Sequence, residues 1–209
     1  DMSQGDSIAK LASNVLDQAP DEYFALAGLS LGGYVALEIM RQAPQRVIGL
    51  ALLDTSAQAD SAEAKQGREA LMAKAEHDFA GVISGLLPKL LHPRHQADAG
   101  LVEVITAMAN SLGQAAFIRQ QQAMLGRIDS RPGLAQIRCP TLVLCGREDA
   151  ITPLAVHQEL TAAIPGAQLR VLDACGHLSS LEQPEEVSQA LTLWLRRLEP
   201  AQGLTRERA

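Results

Sequence analysis

Four short strand-like segments frame this chain, at about residues 22–28, 47–53, 141–146 and 168–172, the last interrupted by Arg170. The second, Val47-Ile48-Gly49-Leu50-Ala51-Leu52-Leu53, contains no polar side chain. Short apolar runs bounded by turn residues are the pattern of strands covered on both faces, as in a parallel sheet between helices. Around them the spacing of apolar positions changes to three and four. Residues 7–17 place Ile8, Leu11, Ala12, Val15 and Leu16 on one helical face, with Ser7 or Asp6 as the N-cap. Residues 31–40 gather Val35, Ala36, Ile39 and Met40, and Pro44 closes that helix. Pro184 opens a last helix whose face carries Val187, Ala190, Leu191, Trp194, Leu195 and Leu198. Strands alternating with helices predict an α/β fold, a mostly parallel sheet flanked by helices.

The alternation stops between residues 57 and 130. Helical spacing is expected over 63–76, 79–91, 101–108 and 112–125, with no strand pattern, and Pro88 is expected to interrupt the second stretch. Leu71, Met72, Ala75, Ile105, Met108, Phe117 and Met124 read as inward positions. Asp129-Ser130-Arg131-Pro132-Gly133 reads as the turn back to the sheet. The chain therefore divides into a core of residues 1–56 and 131–200, a helical insertion at 57–130, and a polar tail at 201–209 expected to fray.

Candidate chemistry sits at the ends of the strands. Gly28-Leu29-Ser30-Leu31-Gly32 follows the first run directly and precedes a helix. In a strand–turn–helix, a G-x-S-x-G sequence holds its serine in a sharp turn, and the small neighbours let the two elements approach. Gly28 and Gly32 are expected to supply that room, and Gly33 more of it. The turn aims Ser30 outward and sets the Leu31 amide at a helix N-terminus, where it can meet a developing negative charge. A serine needs a base, and the base an orienting acid. Asp149 lies just past the third run and His177 just past the fourth, on the edge where open α/β sheets keep their ligands. Glu148 and Asp54, the latter ending the second run, are competing acids.

With these residues in place, the chain resembles the α/β-hydrolase family, in its esterase, enol-lactonase and C–C hydrolase group. The matching stretches are residues 23–40, 47–55, 139–153 and 163–195, including Ile164-Pro165-Gly166-Ala167, Gly176-His177-Leu178 and Glu182-Gln183-Pro184-Glu185. The resemblance implies Ser30 as nucleophile, His177 as general base, Asp149 as orienting acid and the Leu31 amide as an oxyanion donor. It implies that residues 57–130 form a helical cap walling a mostly apolar pocket. It also implies strands and a second oxyanion donor upstream, so residues 1–209 are expected to be the C-terminal portion of such a domain, lacking its N-terminal strands. One edge of strand 22–28 would then be bare, which invites pairing with a second copy of the chain.

Composition narrows the function classes. Hydrophobic residues at 47% and charged residues at 20% suit a globular domain. A net charge of −6 with 3% aromatics argues against nucleic-acid binding. The longest aliphatic run, 47–53, is too short to cross a bilayer, so no membrane partner is expected. Three cysteines without framework spacing suit a reducing, cytoplasmic setting. Cys139 and Cys145 read as small buried hydrophobes, and Cys175 as a residue near the site. His77, His92, His95 and His157 show no metal-ligand grouping, and His92-Pro93-Arg94-His95 reads as a solvated loop. Neither a metal nor a cofactor is expected. The expected activity is hydrolysis of a small ester, lactone or related acyl compound, with C–C hydrolysis, thioester hydrolysis, peptide hydrolysis and perhydrolysis open. The alternative is a non-catalytic module that needs further strands or a partner chain.

Overall fold

The computed structural model describes residues 3–19 and 21–198. The expected fray of residues 201–209 lies outside them. The elements follow in the order α1 (Ile8–Gln18), β1 (Phe24–Leu29), α2 (Leu31–Gln42), β2 (Val47–Leu53), α3 (Ala62–Ala75), α4 (Phe79–Leu90), α5 (Ala99–Leu125), β3 (Thr141–Gly146), α6 (Leu154–Ala163), β4 (Gln168–Leu172), α7 (Ser179–Glu182) and α8 (Pro184–Arg196). The strands form one parallel sheet in the order β1-β2-β3-β4. Among the described residues β1 pairs only with β2, and its other edge meets no strand.

Side chains alternate across the sheet, and both faces of its central strands β2 and β3 are covered. Leu50, Leu52 and Val143 join the cluster that holds Ala36 and Leu37 of α2 and Leu160 of α6. Their neighbours Ala51, Leu53, Leu142 and Leu144 join Val187, Ala190 and Trp194 of α8. This two-sided burial is why β2 shows no polar position. The indole of Trp194 donates to the Pro140 carbonyl at 3.0 Å, so α8 is also fixed by a polar contact. α1 packs on α2 through Ile8, Leu11, Ala12, Tyr34, Val35 and Ile39, and its N-cap Ser7 accepts from the Lys10 amide at 3.2 Å.

Helices α3, α4 and α5 fill the interval between β2 and β3 and pack on one another. Two details differ from the expected pattern. α4 continues through Pro88 and ends at Leu90, so the proline sits in its last turn instead of interrupting it. α5 is a single helical run broken at Gly113, whose φ of 78° and ψ of 165° lie outside helical geometry. Only glycine takes that backbone readily, and the break falls one residue inside the expected second helix. By length and mean hydropathy (1.4), α5 is apolar enough to cross a membrane, which no unbroken aliphatic run revealed. Val104, Met108 and Leu112 leave an exposed apolar stripe on its first half, so Met108 does not face inward as its spacing suggested.

Candidate active site

The site is assembled where strands β1 to β4 end. Ser30 follows β1 with φ 52° and ψ −115°, a conformation costly for a side-chain-bearing residue. Asp54, after β2, and Ala174, after β4, also have positive φ, at 45° and 55°. The Ser30 turn is held by its backbone: its amide donates to the Leu53 carbonyl at 2.9 Å, and its carbonyl accepts from Thr55 Oγ1 at 2.8 Å. The Thr55 amide in turn donates to Nε2 of the buried His157 at 2.9 Å, and burial pushes the His157 pKa down.

The need for small residues is not shared as the motif suggests. A Cβ on Gly28 would lie 2.2 Å from the Gly32 carbonyl oxygen, and one on Gly33 would lie 2.4 Å from Thr55 Oγ1. A Cβ on Gly32 would meet nothing within 4 Å. Gly28 and Gly33 are therefore the residues that let strand and helix approach.

Ser30 makes no capping bond to α2. Its Oγ instead lies 2.8 Å from His177 Nε2. His177 Nδ1 lies 2.9 Å from Asp149 Oδ2, and both residues are almost fully buried, at 2% and 4% exposure. Asp149 accepts three further hydrogen bonds in a tight loop: Oδ1 takes the amides of Ile151 and Thr152, at 2.8 and 2.9 Å, and Oδ2 takes Thr152 Oγ1 at 2.7 Å. Burial alone would raise the Asp149 pKa, but the bonds from His177 and Thr152 outweigh it and hold the carboxyl below its ordinary value. An ionised Asp149 draws the proton of His177 to Nδ1. Nε2 is then the acceptor, and the Ser30 hydroxyl donates to it. Leu31 opens α2, so its amide has no partner within the helix.

The competing acids point elsewhere. Glu148 accepts from the Cys175 amide at 3.1 Å. Asp54 is fully buried and accepts from the amides of Gly146 and Ser179 and from Ser179 Oγ. Burial pushes the Asp54 pKa up to about 7, against the bond from Ser179. Asp54 thus braces the turn that carries His177 without touching its ring.

Several contributors were hidden in the sequence. The side chain of Glu182 is wholly buried. It accepts from the Gly176 amide at 2.8 Å, the His92 amide at 2.8 Å and His95 Nδ1 at 2.7 Å. The amides of His177 and Leu178 both donate to the Leu90 carbonyl at the end of α4. The segment His92-Pro93-Arg94-His95 is therefore a clamp on the histidine turn, not a solvated loop. Cys175 is buried beside it, where burial drives its thiol pKa upward. Among the described residues no cluster of three or more His, Cys, Asp or Glu forms a metal-binding group.

Ser30 and His177 open onto a cleft of about 760 Å³ between the strand ends and the helical insertion. Leu71, Leu86, Leu90, Met124, Ile151 and Val156 line it, but so do Asp60, Glu63, Arg68, Lys89 and Arg127. The insertion's wall is thus more polar than expected.

Comparisons with known proteins agree with this architecture. The alpha/beta hydrolase family profile matches residues 4–190. The pimeloyl-[acyl-carrier protein] methyl ester esterase of Aromatoleum aromaticum is 29% identical, over 88% of this chain and 78% of that protein. The 3-oxoadipate enol-lactonase 2 of Acinetobacter baylyi is 26% identical, over 88% of this chain and 67% of that one. Among solved structures, a thermophilic esterase from Thermogutta terrifontis, with malate bound, superimposes with a TM-score of 0.84. It is 33% identical, and the match covers 92% of this chain and 73% of that one.

Proposed function

The chain belongs to the alpha/beta hydrolase family, and on that premise we propose that it is a serine hydrolase cleaving a small ester, lactone or related acyl substrate. The observation that carries this reading is the unbroken relay from Ser30 Oγ through His177 to Asp149, at 2.8 and 2.9 Å, on a serine held at positive φ. Ser30 attacks the acyl carbonyl while His177 Nε2 takes its proton. The charge that develops on the carbonyl oxygen meets the Leu31 amide. His177 then returns the proton to the leaving oxygen, leaving an acyl-serine. Water, activated by the same nitrogen, releases the acid. Asp149 stays ionised throughout, holds the ring's tautomer and stabilises the imidazolium that forms.

In this reading residues 57–130 are the cap. They close the cleft over Ser30, and the clamp from Leu90 and Glu182 sets the cap against the base. The reaction needs only the substrate and water.

The test is hydrolysis of p-nitrophenyl acetate together with labelling by a fluorophosphonate. Wild-type protein is expected to turn over the ester and to take the label on Ser30. Ser30→Ala is expected to lose both. Labelling elsewhere, or turnover that survives Ser30→Ala, would dismiss the assignment.

A further inference from the structure

One group in the cleft has no place in that mechanism. The side chain of Asp60, in the segment between β2 and α3, is only 3% exposed. Two guanidinium groups reach it. Arg68 Nε of α3 lies 2.6 Å from Oδ2, and Arg127 Nη1, just past α5, lies 2.8 Å from Oδ1. Gln121 Oε1 accepts from Arg68 Nη1 at 2.8 Å, and the Gln58 carbonyl accepts from Arg127 Nε at 2.9 Å. The Arg127 guanidinium also stacks 4.3 Å over the Tyr34 ring. Every one of these residues lines the cleft that contains Ser30 and His177.

The charges do not balance. Two arginines share one carboxylate, which leaves a formal charge of +1. Lys89 and Glu63, the other ionic residues lining the cleft, cancel each other. The arginine side chains are only 20% and 9% exposed, so little water compensates the excess. A partly desolvated, uncompensated charge is unfavourable until an anion meets it. Donors are left for that anion. Arg68 Nη2 has one long contact, 3.5 Å to Asp60, and no acceptor among the described residues meets Arg127 Nη2. Arginine suits a carboxylate because its planar fork matches two oxygens. A single carboxylate placed on the fork neutralises the cluster, whereas a phosphate dianion would place two charges on it.

We infer that Arg68 and Arg127 form a carboxylate subsite, and that the substrate is an ester or lactone carrying a second carboxylate remote from the bond cleaved. This rests on the reading of Ser30 and His177 as the reacting pair, and it names the substrate class for that site. Asp60 and Gln121 are its positioning residues: they hold the Arg68 fork while the substrate's carboxylate takes the remaining donors.

Two arms test it separately. In the first, the full chain hydrolyses monoethyl esters of succinic, glutaric and adipic acid beside neutral ethyl esters of matched length. The best half-ester is expected to exceed its neutral partner in kcat/KM by about 10- to 100-fold, the range of a charge-assisted bond or two. Arg68→Met removes the excess charge yet leaves Asp60 paired with Arg127. It is expected to bring the half-ester to neutral-ester ratio close to one. Should Arg68→Met fold poorly, Arg68→Lys keeps the charge but loses the fork, and is expected to cut the ratio severalfold.

In the second arm, glutarate, inorganic phosphate and neutral glutaramide are titrated onto the Ser30→Ala protein and binding is read by calorimetry. Glutarate is expected to bind at least tenfold more tightly than glutaramide, in an Arg68-dependent way. Ser30-dependent turnover with no preference for half-esters would overturn the subsite and leave the hydrolase reading standing. Glutarate binding without any ester turnover would do the reverse. Phosphate binding more tightly than glutarate would overturn the carboxylate assignment.

Discussion

Replacing Asp149 by asparagine is the most incisive test of the proton relay, because the structure dictates how the amide must sit. Oδ1 faces two backbone amides, from Ile151 and Thr152, so the asparagine carbonyl oxygen must occupy that position. The NH2 group then falls at the place of Oδ2, facing His177 Nδ1 and Thr152 Oγ1. The threonine hydroxyl can rotate and accept. The histidine can accept only if its proton moves to Nε2, and Nε2 then faces Ser30 Oγ as a donor and no longer as a base. Wrong-tautomer replacements in serine triads cost about ten-thousandfold in kcat. At 1.36 kcal/mol per tenfold, that is about 5.4 kcal/mol of barrier. The fold should lose far less, about 1 to 3 kcal/mol, because both amide bonds to Oδ1 survive. Steady-state hydrolysis of p-nitrophenyl acetate at pH 7.5 and a urea melt measure the two effects side by side. The expected result is a folded protein with a collapsed kcat. A variant within tenfold of wild-type kcat would refute the reasoning, and a dead Asp54→Asn alongside it would move the acid to Asp54.

Two further predictions follow from the same geometry. Gly28→Ala drives a Cβ into backbone atoms at 2.2 to 2.8 Å and is expected to cost about 3 kcal/mol or more, whereas Gly32→Ala, with open space, is expected to be neutral or slightly stabilising; equal urea midpoints for the pair would contradict the packing argument. Burial raises the Asp54 pKa from 3.8 to about 7, so the folded state holds a proton that the unfolded state releases, and the Asp54 contribution to stability falls as pH rises through that window. From pH 5 to pH 8 this amounts to about 2.7 kcal/mol. His157, whose pKa burial lowers, acts with the opposite sign below its unfolded value, so the measurement is the difference in pH slope between wild type and Asp54→Asn. Identical slopes would contradict the linkage.

The strands and the helices around them were legible in the sequence because they are local in cause, whereas the strand order came only with the fold. The central strands β2 and β3 are covered on both faces, so each reads as a short apolar run, while β1 and β4 at the edges keep exposed positions, and the flanking helices repeat at three and four. The turn at Ser30 was legible for a similar reason, since a strand entering a helix at once requires particular neighbours. Asp149 and His177 were legible as candidates because chemistry gathers where parallel strands end.

What tertiary structure decided is everything that depends on which distant side chain arrives. Three acids followed strand ends, and only distances separate Asp149, at 2.9 Å from the histidine ring, from Glu148 and Asp54, which brace backbone amides. Gly32 and Gly33 look alike in the motif, but Thr55 packs against one and not the other. Glu182 and His95 meet across 87 residues of chain, and Arg68 and Gln121 across 53. Periodicity records how a segment meets solvent and core. It carries no trace of a charge or hydrogen-bond partner brought from elsewhere, so the excess positive charge in the cleft becomes visible only once the chain has folded.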